Sequence, residues 1–93
     1  MADTSTAYTK DATARLDYRI DWAFWLMDGE TIISSVWTVS PGITIDGEET
    51  TPTNTMVWLK AGSNGQTYEI TNTITTNQQR IDERSFIVRV QDR

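Results

Sequence analysis

The sequence of residues Leu59–Thr76, LKAGSNGQTYEITNTITT, decides the fold class of this chain. After a glycine-bearing turn the segment alternates, and a period of two residues predicts a strand with one buried face. The inward positions are Tyr68, Ile70, Asn72 and Ile74. A tyrosine at the head of such a strand indicates a tyrosine corner, in which the ring enters the core and the hydroxyl bonds back to the preceding loop. The stretch therefore predicts a central late strand of an immunoglobulin-like sandwich.

The residue composition of the rest of the chain and the spacing of its turn residues indicate the same architecture. Threonine is the commonest of the 93 residues, and β-branched and aromatic residues outnumber leucine and alanine, which favours strands. Turn residues separate the apolar segments at intervals of roughly 8–12 residues, as in sandwiches. We predict an all-β, immunoglobulin-like antiparallel β-sandwich of about seven strands. The absence of cysteine means that it has no disulfide. We expect one domain over residues 14–93, preceded by a flexible N-terminal arm over residues 1–13.

The net charge and the lack of long apolar runs limit the classes of partner that the chain can bind. The formal net charge is −5, so the basic surface that a nucleic-acid-binding protein presents is missing. No run approaches the roughly 20 apolar residues that span a bilayer, and the N-terminal residues have no apolar core of the kind found in a secretory signal. We therefore expect neither nucleic acid nor membrane as a partner, and synthesis in a cytoplasm.

The residue types leave little room for catalysis. The chain has no histidine and no cysteine, which removes Ser-His-Asp and Cys-His nucleophiles and His/Cys zinc sites. The carboxylates fall on outward strand positions or on turns. We predict that the protein is not an enzyme and has no cofactor or metal site. The loop with Asp46, Glu48 and Glu49 lacks the ligand pattern of a known calcium loop and is expected to be solvated, although cation binding there stays open.

The segment Asp21–Leu26, DWAFWL, interrupts the alternation and is the main candidate for partner binding. An aspartate before compact apolar residues can cap a single helical turn, on which Trp22, Trp25 and Leu26 would share one side. One interpretation is a plug that closes one end of the sandwich. The other is an exposed aromatic patch, since tryptophan is enriched at interface hot spots. The candidate partner-binding residues are Tyr8, Trp22, Phe24, Trp25 and Leu26. An open edge strand is a further candidate surface.

Several groups of core and turn residues occur together in a known family of phage proteins. They are Asp21-Trp22 with Trp25-Leu26, Trp37 followed by Pro41-Gly42-Ile43, Val57-Trp58-Leu59, Gly62 to Tyr68, and Asp82-Glu83-Arg84-Ser85-Phe86. With them, the chain from about Asp11 to Val90 resembles the small immunoglobulin-like structural proteins of tailed bacteriophages, of the fiber–tail adaptor type. The pattern is more specific for the fold than for the role.

The resemblance implies a non-enzymatic virion structural protein, made in the host bacterial cytoplasm. It would act as an adaptor at the neck or tail that joins other virion proteins, such as fiber or connector components, and would be oligomeric in the particle. A capsid decoration protein is the first alternative. A glycan-binding β-sandwich module is the second, because Trp22, Trp25 and Trp58 could form sugar platforms on a β-surface.

Overall fold

The computed structural model describes residues 6–91, which form seven strands. The strands are β1 (Thr6–Lys10), β2 (Leu16–Asp21), β3 (Ile32–Val39), β4 (Ile43–Thr50), β5 (Asn54–Ala61), β6 (Thr67–Thr76) and β7 (Ile81–Val90). Within these described residues, no helix is long and apolar enough to pass through a bilayer.

The strands lie in two sheets, with the order β1-β7-β6-β3 in one and β2-β5-β4 in the other. Neighbouring strands are antiparallel except for β1, which runs parallel to β7. The prediction of an all-β sandwich is thus confirmed. An immunoglobulin domain places its second, fifth and fourth strands in one sheet and its third, sixth and seventh in the other. The observed order agrees with this for six strands, but β1 pairs with β7 and does not join the sheet of β2, so the immunoglobulin-like topology stays a prediction.

The main core fills the space between the two sheets. Its members are buried apolar and aromatic residues, namely Tyr18, Trp37, Ile43, Val57, Leu59, Tyr68, Ile70, Phe86, Val88 and Val90. The rings of Trp37 and Phe86 meet edge to face, with centroids 6.2 Å apart. Each large apolar side chain of this kind stabilises the fold by about 1.5–3 kcal/mol when fully buried. Burial of Trp37 and Tyr68 in one cluster is as expected for a sandwich packed without a disulfide.

The predicted tyrosine corner is present between β5 and β6. The Ser63 N–H donates to the Tyr68 hydroxyl at 2.9 Å, while the ring lies in the core. Gly62, with φ of +95°, lies against this ring, and a Cβ added there would be 2.8 Å from Val90 Cγ2. The corner therefore needs glycine at this position for both backbone conformation and space.

The N-terminal segment differs in part from the expected arm. Thr6–Lys10 pair in register with the last five residues of β7, so this part belongs to the sheet, whereas residues 1–5 of the predicted arm lie outside the described residues. The Lys10 side chain is buried, and its Nζ donates to the carbonyls of Asp11 at 2.9 Å and Ala61 at 2.8 Å. Burial lowers the pKa of Lys10. The two carbonyls satisfy the buried ammonium group, which would otherwise be costly to remove from water, so Lys10 can anchor the end of β1.

Strand β4 is longer than the sequence indicates. The residues Ile43-Thr44-Ile45 alone predict a short strand, but the strand continues to Thr50, through an irregularity at Gly47, whose φ is +129°. The polar residues stay at the surface because β4 is an edge strand. Asp46 pairs there with Arg15 and with Lys60, and hydrogen bonding to Arg15 lowers the pKa of Asp46. The residues Asp46, Glu48 and Glu49 of the predicted acidic loop thus belong to strand β4, and Asp46 forms ion pairs there.

Candidate interaction site

The segment after β2 forms one tight turn, which the Asp21 side chain caps. Asp21 Oδ1 accepts a hydrogen bond from the Ala23 N–H at 2.9 Å. The Trp22 carbonyl accepts from the N–H groups of Trp25 at 2.9 Å and Leu26 at 3.1 Å. This is the single capped turn that the residue spacing predicts. It fixes which side chains of the segment point inward.

Trp22 closes one end of the sandwich. Its side chain is completely buried and packs with Ile32 and Ile74 in a second, smaller core. The indole Nε1 donates to Thr55 Oγ1 at 3.3 Å and Asn72 Oδ1 at 3.2 Å. Trp22 is therefore the plug of the first interpretation, and its side chain supplies no contact surface in the isolated chain.

Trp25 and Leu26 are partly buried against the small core that contains Trp22. The centroids of the two indole rings lie 5.6 Å apart in an edge-to-face arrangement. The guanidinium carbon of Arg80 lies 3.9 Å from the centroid of the Trp25 ring, and Arg80 Nη2 donates to the Trp25 carbonyl at 3.1 Å. A cation over an aromatic face is a favourable contact. Trp25 thus forms a supporting layer between the core and Arg80.

A buried carboxylate completes this support. The Glu30 side chain accepts from Arg80 Nε at 2.8 Å and Nη2 at 2.5 Å, from the Met27 N–H at 2.9 Å and from the Thr76 hydroxyl at 2.6 Å. These contacts, with the hydrogen bonds from Arg80 as the largest cause, lower the pKa of Glu30 to about 2. The pair joins the connection between β2 and β3 to the turn between β6 and β7. From the sequence alone, Arg80 would be expected to join Asp82-Glu83-Arg84 in a solvated charge cluster, and for Arg80 this expectation is wrong.

Phe24 projects from this fixed turn into solvent. Its side chain is 97% exposed, and Met27 in the same connection is 63% exposed. Ile33 and Ile81, near the first residues of β3 and β7, are also exposed apolar residues. We call these four residues the apolar end of the sandwich. Only Phe24 among them was singled out by sequence, because the other three lack an aromatic pattern.

Tyr8 lies apart from the turn, on β1. Its ring centroid is 5.0 Å from that of Tyr18 and 5.4 Å from that of Phe86, and the side chain is 40% exposed. Tyr8 therefore packs on its own sandwich and leaves part of its ring open. The structure brings the four predicted residues of the turn together and does not bring Tyr8 to them.

The tryptophan faces do not form an open sugar platform. Trp22 is buried, the Trp25 face carries Arg80, and the guanidinium carbon of Arg15 lies 4.2 Å from the centroid of the Trp58 ring. A pyranose ring would have to displace an arginine from either partly exposed indole.

Comparison with known proteins places this geometry in a family. Residues 10–89 match the family described as podophage GP4 fiber-tail adaptor protein gp77. The matched range includes the capped turn, the tyrosine corner and both residues of the Glu30–Arg80 pair. A search of curated proteins found no match. Because the family match covers most of the chain, this protein belongs to the podophage GP4 fiber-tail adaptor protein gp77 family.

Proposed function

We propose that the protein is a structural adaptor at the neck or tail of a podophage virion, where it joins other virion proteins such as fiber or connector components. Membership of a family described as fiber-tail adaptors supports the role. The observation that supports an interface is Phe24, an almost fully exposed phenylalanine on a turn that is held by an ion pair between the buried Glu30 and the partly exposed Arg80. A free monomer gains nothing from exposing such a ring to water.

The physical case for an interface rests on rigidity as well as on apolar area. An anchor that is already fixed loses little conformational entropy when a partner covers it. The turn around Phe24 is fixed by the Asp21 cap, by the buried Trp22 and by the Glu30–Arg80 pair. Aromatic anchors that fill a partner pocket are typical hot spots. Among the residues of this surface, truncation of Phe24 should therefore cause the largest loss of binding free energy.

The charge around the turn indicates the chemistry of the partner. Asp21 and Asp28 are exposed, and the sequence from Asp21 to Glu30 contains no basic residue. Since the Glu30 carboxylate is neutralised by Arg80, the two aspartates give the surface its charge. We expect an apolar pocket with lysine or arginine at its rim on the partner, because complementary charges speed association and set orientation.

An adaptor role does not require the protein to catalyse a reaction. The chain has neither histidine nor cysteine, and the most strongly shifted carboxylate, Glu30, is consumed by structural hydrogen bonds. We propose a non-enzymatic function that is carried by surfaces. Repetition of the chain in an oligomeric assembly would multiply each contact.

The test combines location with a point substitution. The protein should be present in purified particles and appear at the neck or tail in a density map, and its absence from mature virions would rule the proposal out. Copy number separates the alternatives, because a capsid decoration protein would be present in hundreds of copies and a neck ring in about a dozen. In reconstitution with the purified tail and fiber proteins of the same phage, Phe24→Ser should weaken binding at least about tenfold. Val36→Ser is the matched control, because Val36 is an exposed apolar residue in the middle of β3.

A further inference from the structure

A groove on the sandwich has the chemistry that the Phe24 surface requires of a partner. A cavity of about 210 Å³ opens between β1 and β2, and its lining includes Tyr8, Ile20 and Phe86. The rings of Tyr8 and Phe86 meet edge to face, with centroids 5.4 Å apart. An apolar cavity of about 150 Å³ can hold a benzene ring. The groove therefore has room for one phenyl side chain and offers it aromatic contacts.

Two arginines give this groove a positive charge. Arg19 and Arg84 are both in the lining, where Asp21 is the one carboxylate among the described residues. Within residues 6–91 neither arginine forms an ion pair. The guanidinium carbon of Arg84 lies 4.4 Å from the centroid of the Trp22 ring, which holds this cation in place. With two arginines against one aspartate, the groove is positive in a chain whose net charge is −5.

The matching anchor lies on the same chain but does not fill its own groove, because the Phe24 side chain is 97% exposed. The surface around Phe24 is acidic, since Asp28 is exposed and no basic residue occurs from Asp21 to Glu30. An acidic surface around an aromatic anchor is complementary to an aromatic groove with arginines. Each copy of the chain thus carries both halves of one contact, and the occupant that fits the groove is a second copy.

We propose that Phe24 of one copy enters the groove between β1 and β2 of a second copy, where Asp28 of the first faces Arg19 or Arg84 of the second. This inference rests on the proposed function, because it names the partner of the Phe24 surface. Different side chains form the anchor and the groove, so the contact is head to tail and closes into a ring if the rotation between copies permits. An adaptor in a closed assembly offers its other surfaces to fiber or tail proteins several times over, which strengthens weak contacts.

The experiment uses single-cysteine variants of the full chain, which contains no cysteine of its own. Ala23→Cys places a thiol next to Phe24, and Thr6→Cys places one at the groove, both at exposed positions. Under mild oxidation, a mixture of the two variants should form a mixed disulfide. Ala23→Cys with Thr38→Cys, at an exposed position of β3 outside the groove, is the matched control and should not. Phe24→Ser in the Ala23→Cys chain should reduce the mixed disulfide at least about tenfold.

Charge reversal tests the contact without altering the aromatic anchor. Sedimentation of the chain alone should show self-association, which Asp28→Lys and Arg19→Glu should each weaken about tenfold. Mixing these two variants should restore association in part, because the reversed charges of the two copies then attract each other. Glu69→Lys, at an exposed position of β6 outside both surfaces, is the matched control and should not weaken association.

The proposal is overturned if the unaltered chain stays monomeric, if Ala23→Cys alone cross-links as readily as the mixture, or if Phe24→Ser leaves the mixed disulfide unchanged. It is also overturned if deletion of residues 1–5 abolishes association, since that segment would then carry the contact. A monomeric chain whose binding to tail or fiber proteins still depends on Phe24 would contradict this inference and leave the proposed function standing. Absence from virions would contradict the proposed function and would not alter the cross-linking result.

Discussion

Glu30 and Arg80 form an ion pair across 50 positions of the chain, and the Glu30 side chain within it is completely buried. The guanidinium that binds this carboxylate also covers the ring of Trp25. Arg80 therefore holds the segment that presents Phe24 at two points, at Trp25 and at Glu30. A carboxylate buried in this way must be hydrogen-bonded, because an unpaired one would cost several kcal/mol to desolvate.

The first prediction is that the free energy of unfolding decreases as the pH falls, because of Glu30. The pKa of Glu30 is lowered in the folded protein from 4.5 to about 2. A lowered folded-state pKa contributes stability that is fully present well above 4.5 and is lost as the pH falls through the interval to about 2. Urea unfolding measured from about pH 7 to pH 2 should thus show a steeper loss for the unaltered protein than for Glu30→Gln.

The control for this prediction is Asp46→Asn. The pKa of Asp46 is lowered in the same direction by Arg15, but both partners are partly exposed at the surface. Salt at about 1 M should therefore screen the contribution of Asp46, whereas Glu30, whose side chain is buried against a partly exposed Arg80, should keep more of its effect. Equal pH dependence in the Glu30→Gln variant and the unaltered protein would contradict the assignment.

The second prediction concerns the polar contact beneath Trp22. Asn72 is buried, accepts from Trp22 Nε1 and from the Thr55 hydroxyl at 2.6 Å, and donates to Ser35 Oγ at 2.8 Å. Asn72→Leu keeps similar bulk but removes the acceptor of the Thr55 hydroxyl and one of the two acceptors of Trp22 Nε1, so it should lower the free energy of unfolding by about 1–3 kcal/mol. Urea unfolding followed by tryptophan fluorescence measures the loss.

A double variant separates this hydrogen-bond loss from a simple packing defect. Thr55→Val removes the hydroxyl that Asn72→Leu would leave unsatisfied. The double variant also removes both acceptors of the buried Trp22 Nε1, so the two losses should not add, with a coupling of about 0.5–3 kcal/mol for residues in contact. Strict additivity would show that the Asn72–Thr55 contact contributes nothing.

The third prediction compares two glycines of the tyrosine corner. Gly62 and Gly65 have φ of +95° and +84°, so alanine at either position should cost about 1–2 kcal/mol in backbone strain. A Cβ at Gly62 would also lie 2.8 Å from Val90 Cγ2, whereas nothing lies within 4 Å at Gly65. Overpacking should make Gly62→Ala worse than Gly65→Ala by about 1–3 kcal/mol in thermal or urea unfolding. Similar losses for both would mean that the corner relaxes around the added methyl group.

The sequence predicted the elements that have strong alternation and could not predict those that depend on distant partners. Tyr68 and Ile70 follow a clear period of two residues, and their strand and the tyrosine corner are confirmed. Strand β1 has no such pattern, because its only buried side chain is Lys10, which is held by carbonyls from elsewhere in the fold. Its residues therefore resembled a loose arm.

The same reasoning applies to the interaction site. The helical spacing of Trp22, Trp25 and Leu26 correctly put these residues on one side of the turn, and they are the buried or partly buried ones. Phe24 falls off that side and is exposed. The inward side is fixed by the contacts of Trp22 with Ile32 and Ile74 and by Arg80 over Trp25, which only the folded topology brings together. The binding role of these residues stays a prediction that the experiments address.

The last prediction links the ion pair to binding. Arg80→Lys keeps the positive charge next to Glu30 but loses the two-pronged geometry and the flat contact with the Trp25 ring. We expect the fold to persist, because neither Glu30 nor Arg80 is a member of the main core. The turn from Trp22 to Glu30 should exchange its amide hydrogens faster, and binding of the tail or fiber partner should weaken although Phe24 is intact. Hydrogen exchange and binding assays on the same variant measure both effects. If the exchange accelerates and the affinity does not change, then Phe24 acts without needing a rigid base; if neither changes, then the pair does not position the turn.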